Sequence, residues 1–82
     1  IRKFYERLCS KPTPVDIKLE ELISFLKNIG FKIKSGGKHL IVNYEDFVFP
    51  IPRDRNVKKG YILEIAKKIK EYGFEDIIYG RE

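Results

Sequence analysis

The sequence predicts an α+β fold: a two-layer sandwich in which a three-stranded antiparallel sheet carries two helices on one face. The order is α-β-β-β-α, with a short N-terminal helix ahead of it. Three observations predict this. The hydrophobic period changes from helical to alternating at Phe31 and returns to helical after Pro52. Short turns cut the alternating stretch into three strands, and hairpin turns make consecutive strands antiparallel. Two amphipathic helices flanking such a meander must both cover the same sheet face to bury their apolar stripes.

In chain order, Arg2 to Leu8 sets Phe4 and Leu8 four apart with Tyr5 beside them, a short helix docking by one apolar edge. Pro12 and Pro14 interrupt the chain, and Ser10 to Val15 reads as a connector. The spacing predicts a helix over Asp16–Ile29, with Asp16 as N-cap, Glu20 and Glu21 at the positive end of its dipole, and Leu19, Leu22, Ile23, Leu26 and Ile29 as its stripe. Gly30 and Phe31 end it in the Schellman manner. Phe31 and Ile33 alternate with Lys32 and Lys34 in a first strand, and Ser35-Gly36-Gly37 reads as the turn. Lys38 to Tyr44 is a second strand, with Leu40, Val42 and Tyr44 on one face and His39, Ile41 and Asn43 on the other. After Glu45-Asp46, Phe47 to Ile51 is a third strand, placed at an edge because Pro50 and Pro52 cannot donate to a ladder. A basic loop, Arg53 to Lys59, leads into a helix over Gly60–Tyr72 with Ile62, Ile65, Ala66 and Ile69 on one face. Gly73 and Phe74 repeat the earlier ending. The tail, 75–82, holds Ile77, Ile78 and Tyr79 and fits either an extra strand or a segment that docks on a partner.

With 82 residues the chain is read as one domain: an extension (1–15), a core (16–74) and a tail (75–82). A chain this short buries only about 60% of its unfolded surface, and 43% hydrophobic with 13% aromatic residues supplies the core. No run approaches the roughly 18 apolar residues of a membrane span, so no membrane partner is expected. No apolar secretion signal is visible, and the single cysteine, Cys9, permits no internal disulfide. A cytoplasmic setting is expected. The net charge of +5 points to a polyanionic partner.

The sequence contains one histidine, His39. The strand alternation puts it on the face opposite Leu40 and Val42, open to solvent if those residues meet the helices. Basic residues fall in three groups: Lys32, Lys34 and Lys38 on the first hairpin; Arg53, Arg55, Lys58 and Lys59 on the loop; Lys67, Lys68 and Lys70 on the last helix. The loop group sits at a helix N-terminus, where backbone N–H groups also favour phosphate. Each group also reads as a merely solvated surface, and the lysines of the last helix are interleaved with Glu64 and Glu71.

The order of elements is shared with double-stranded RNA-binding domains, and the motifs resemble the HicA toxin family. They are Asn28-Ile29-Gly30-Phe31-Lys32 ending a helix, Gly36-Gly37-Lys38-His39-Leu40-Ile41-Val42 opening a strand, Phe49-Pro50-Ile51-Pro52-Arg53 ending the third strand, and Lys58-Lys59-Gly60 before Tyr61-Ile62-Leu63. The resemblance covers roughly 16–74. The family turn usually places a Ser shortly before the His, where this chain has Gly37 and Lys38.

The resemblance implies a toxin that cleaves mRNA without a metal ion or other cofactor, with His39 as the catalytic residue. It also implies a HicB-type antitoxin that inhibits it, expected to be acidic and to cover His39 and the Arg53–Lys59 loop. Gly36, Gly37, Lys38, Arg53, Arg55, Lys58 and Lys59 are the expected RNA contacts. One His cannot serve as base and acid at once, so a Lys, Tyr or water must share the work. Two other readings stay open: a non-catalytic RNA-binding module of the same fold, and a small subunit binding a larger acidic protein.

Overall fold

Strict alternation through the middle strand sets the architecture. The computed structural model describes residues 1–80. Its elements are α1 (Arg2–Leu8), α2 (Leu19–Ile29), β1 (Lys32–Gly36), β2 (His39–Tyr44), β3 (Phe47–Pro52), α3 (Lys59–Glu71) and α4 (Glu75–Gly80). The sheet is antiparallel in the order β1-β2-β3. Val42, in the central strand, faces inward and is fully buried, with Ile33 opposite it on β1 and Phe49 on β3. Leu40, Tyr44, Phe47 and Ile51 share that face by register.

Both long helices cover it. α2 buries Leu22, Phe25, Leu26 and Ile29, and α3 buries Ile62, Ile65, Ala66 and Ile69. The rings of Phe49 and Tyr61 lie 5.8 Å apart across the layer boundary. The expected two-layer α+β sandwich is therefore the observed one. Both helices end alike: Phe31 N–H donates to Leu26 O at 2.9 Å and Phe74 N–H to Ile69 O at 3.1 Å. These are the six-to-one bonds of a Schellman ending, and the two aromatic rings that follow meet at 4.8 Å.

β3 is an edge strand, as its prolines require. Counting from the Glu45-Asp46 turn, Pro50 and Pro52 stand opposite Ile41 and His39, at the alternate positions that exchange no ladder bonds with β2. Their missing N–H groups cost the sheet nothing.

Several boundaries shift by a residue, and three parts of the chain depart from the sequence expectation in a way that bears on the site or the core. The second helix begins at Leu19, with Lys18 as its N-cap and no side-chain cap. Lys18 instead bridges Asn56, and Val57 N–H donates to Ile17 O at 2.8 Å. This short pairing buries Ile17 and Val57 and holds the chain extended through the residues where a cap at Asp16 was expected. Asp16 meets Arg7 Nη2 at 3.0 Å. The first turn is Gly37-Lys38, with Gly36 already in the strand. The tail is neither a strand nor free: α4 packs on α1 and buries Ile78. Tyr5, Leu8 and Ile78 belong to the same apolar cluster as Val42 and Ile62, so extension and tail complete one core. Residues 81–82 of the tail lie outside the described residues.

Candidate nucleic-acid interface

The face of the sheet away from the helices is where the chemistry gathers. Because Val42 is buried, the odd-numbered residues of β2, namely His39, Ile41 and Asn43, point to the opposite side. His39 is exposed at the start of the central strand. Its neighbours across the ladder are Gly36 on β1 and Pro52 on β3. Neither places a polar side chain beside the imidazole. A Cβ at Gly36 would stand 3.0 Å from Ile41 Cγ1, so a side chain there would force Ile41 aside.

The turn before His39 is tight. Gly37 has φ +67°, a conformation that suits glycine. Arg53 holds this turn from below: its Nε donates to Gly37 O at 2.8 Å, its guanidinium also bonds Ser35 Oγ, and its backbone N–H donates to Lys38 O at 3.4 Å. Arg53 continues the inward-facing register of Phe49 and Ile51, so its side chain passes on the helix side of the hairpin end.

Of the residues expected at the site, the structure brings Gly36, Gly37 and Lys38 together with His39 and ties Arg53 to them as a clamp. Arg55, Lys58 and Lys59 are elsewhere. Arg55 lines a cleft of ≈ 290 Å³ with Arg53, Lys18, Glu20 and Asp54, where carboxylates accompany it. Lys58 caps α3 and borders a cleft with Phe49, Tyr61 and Glu64 on the helix side of β3. Lys59 lies with Val15 and Val57. On α3, Lys68 bonds Glu71 at 3.0 Å and stands over the inward-facing Phe47 ring at 5.5 Å.

Two cations outside the expected set share the face of His39. Lys34 pairs with Ile41 and Lys32 with Asn43. Both lysines are exposed, and the three strands contain no acidic residue. The signal that places them is the register: a two-residue turn at Gly37-Lys38 puts even positions of β1 beside odd positions of β2. Reading Ser35-Gly36-Gly37 as the turn hides that correspondence. Asn43 Nδ2 donates to Ile41 O at 3.0 Å, which fixes its amide.

Among the described residues, no group of three or more His, Cys, Asp or Glu side chains is placed to hold a metal ion, and no helix is long and apolar enough to cross a membrane. No family model, curated protein or solved structure matches the chain.

Proposed function

We propose that this protein is a metal-independent endoribonuclease of the HicA toxin type that cuts mRNA at His39 and is held inactive by an acidic HicB-type antitoxin. The observation that carries the reading is the position of His39. A lone imidazole stands exposed beside a glycine turn, on a sheet face whose strands carry cations and no carboxylate.

RNA supplies its own nucleophile. The 2′-oxygen attacks the neighbouring phosphorus while its proton passes to His39, and the bond to the 5′-oxygen breaks. That oxygen takes a proton from water or a nearby ammonium, leaving a 2′,3′-cyclic phosphate and a 5′-hydroxyl. An imidazole exchanges protons between about pH 5 and 8, where such a step needs it. Gly37, with nothing within 4 Å of where a Cβ would stand, leaves room for a phosphate at the turn, and Lys38 brings positive charge there.

One observation favours the second reading, an RNA-binding module of the same fold that does not cleave. Among the described hydrogen bonds none reaches the imidazole of His39, whereas a catalytic base is usually oriented by a third group. Cleavage of single-stranded RNA in chelator, by wild type and by His39→Ala, separates the two. The substitution is expected to lower the rate by about 10²–10⁴-fold and to leave thermal stability within about 0.5 kcal/mol, since the residue is exposed. A folded His39→Ala protein that cuts at the wild-type rate removes His39 from the mechanism. Binding without cleavage in wild type selects the module.

A further inference from the structure

We propose that the RNA runs along the open face of β1 and β2, with Lys34 and Lys32 holding successive phosphates beyond His39, and that the loop before α3 does not carry it. The inference rests on the reading of the protein as RNA-binding and names the site's path.

The register supplies the geometry. Gly36 and His39, Lys34 and Ile41, and Lys32 and Asn43 are consecutive same-face pairs down one hairpin. Side chains two positions apart on a strand are separated by about 6.6–6.8 Å. Lys34 and Lys32 therefore form an evenly stepped cationic row that starts beside His39 and ends beside the fixed amide of Asn43. The other half of the same face is apolar: Ile41, then Pro50, Pro52 and Val48 on β3, with Val48 61% exposed. One side of the face suits a phosphate backbone and the other suits the flat surfaces of unpaired bases. A single strand laid along the hairpin meets both. The strands themselves hold no carboxylate, and Glu45, in the turn after β2, lines the cleft of Lys32, Lys34 and Asn43 only past the Lys32–Asn43 pair, at the end away from His39. Arg55 and Lys58 share their clefts with Glu20, Asp54 and Glu64, and Lys59 lies among Val15, Asn56 and Val57. Lys58 is separated from His39 by the sheet itself, since the cleft it borders includes the inward-facing Phe49.

The test uses the full chain and a 2′-O-methylated single-stranded RNA of mixed sequence, which binds but cannot be cut. Affinity is measured against salt. Each phosphate contact contributes roughly 0.7 to the slope of log affinity on log salt. The Lys32→Ala/Lys34→Ala double variant is expected to flatten the slope by about 1.4, and Lys32→Arg/Lys34→Arg to restore it. Lys58→Ala/Lys59→Ala is expected to leave it unchanged. Both lysines of β1 are exposed, and thermal melting verifies that the variants fold. If wild type binds the probe but only the Lys58/Lys59 variant flattens the slope, or neither does, the path is overturned and RNA binding stands. If wild type does not bind at low salt, both the path and the endoribonuclease reading fall, and the face belongs to an acidic protein.

Discussion

The hydroxyl of Tyr5 donates to Glu75 Oε2 at 2.7 Å across a sequence separation of 70. Its ring lies parallel to Phe25 at 6.4 Å and edge-on to Tyr79 at 6.1 Å. Burial, and then the bond to Glu75, push the phenol far above its ordinary value of 10.0, with Cys9 adding to the shift. The protonated form is therefore the one the fold holds. Its contribution is complete below pH 10 and is lost as pH rises further, because the unfolded chain ionises there first. Tyr5→Phe is expected to destabilise the protein by about 1 kcal/mol at neutral pH. The gap to wild type should narrow above about pH 10, where only wild type loses this term. Urea unfolding at pH 7 and near pH 11 checks it, and a gap of constant size would show that the phenol's titration is not linked to folding. Little of this residue's role is legible in sequence. Phe4 and Leu8 mark the apolar edge of α1, yet the structure buries Tyr5 and Leu8 and leaves Phe4 only partly covered. The partner that decides the matter sits in a tail whose conformation its own sequence leaves open. His39 is the contrary case: alternation along β2 is enough to place it.

At the scale of elements, local chemistry predicts the long helices and the strands, and it fails where a distant segment intervenes. Asp16 has the side chain of an N-cap, but the pairing of Ile17 and Lys18 with Asn56 and Val57 delays the helix to Leu19. The hairpin turn falls at Gly37-Lys38 and not at Ser35-Gly36-Gly37, because three small residues in a row all suit a turn and only the pairing of Gly36 with His39 fixes the register. That one position decides which lysines stand beside the histidine. Arg53 shows the same dependence on tertiary context. In sequence it is one of a run of loop cations. In the structure its guanidinium locks the β1–β2 turn through Gly37 and Ser35. In the proposed cleavage it is a positioning residue for His39. Arg53→Ala is expected to cost about 1 kcal/mol of stability and to lower kcat for RNA cleavage while leaving the salt slope of binding unchanged. Arg53→Lys should not rescue the rate, because an ammonium cannot reproduce a planar fork that bonds two acceptors. A flattened slope in Arg53→Ala would instead make Arg53 a phosphate contact.

For the whole molecule, the division into two layers leaves one large surface that no other element of the described residues covers. The helices, with α1 and α4 added beside them, occupy the inward side, and the net charge of +5 is carried on a surface whose outward-facing strands have no acidic residue. This layering is what the change of hydrophobic period announces. The sequence conceals how the two ends close over the core, because the contact between α1 and α4 joins segments that neither period nor capping relates. An inhibitor of the proposed activity needs only to occlude the outward face, and an acidic one would be steered to it at long range. Counting from the two-residue turn, Gly36, Lys34 and Lys32 exchange ladder bonds with β2, so the N–H groups of Ile33 and Ser35 point away from the sheet along a free edge. Their amides exchange readily unless something covers them. With the proposed HicB-type antitoxin bound, hydrogen exchange is expected to slow at Ile33, Ser35, Gly37 and Lys38, with little change along α2 and α3, and the association rate should fall as salt is raised. Protection concentrated on the helices, with the edge amides of β1 unchanged, would mean that inhibition does not work by covering His39.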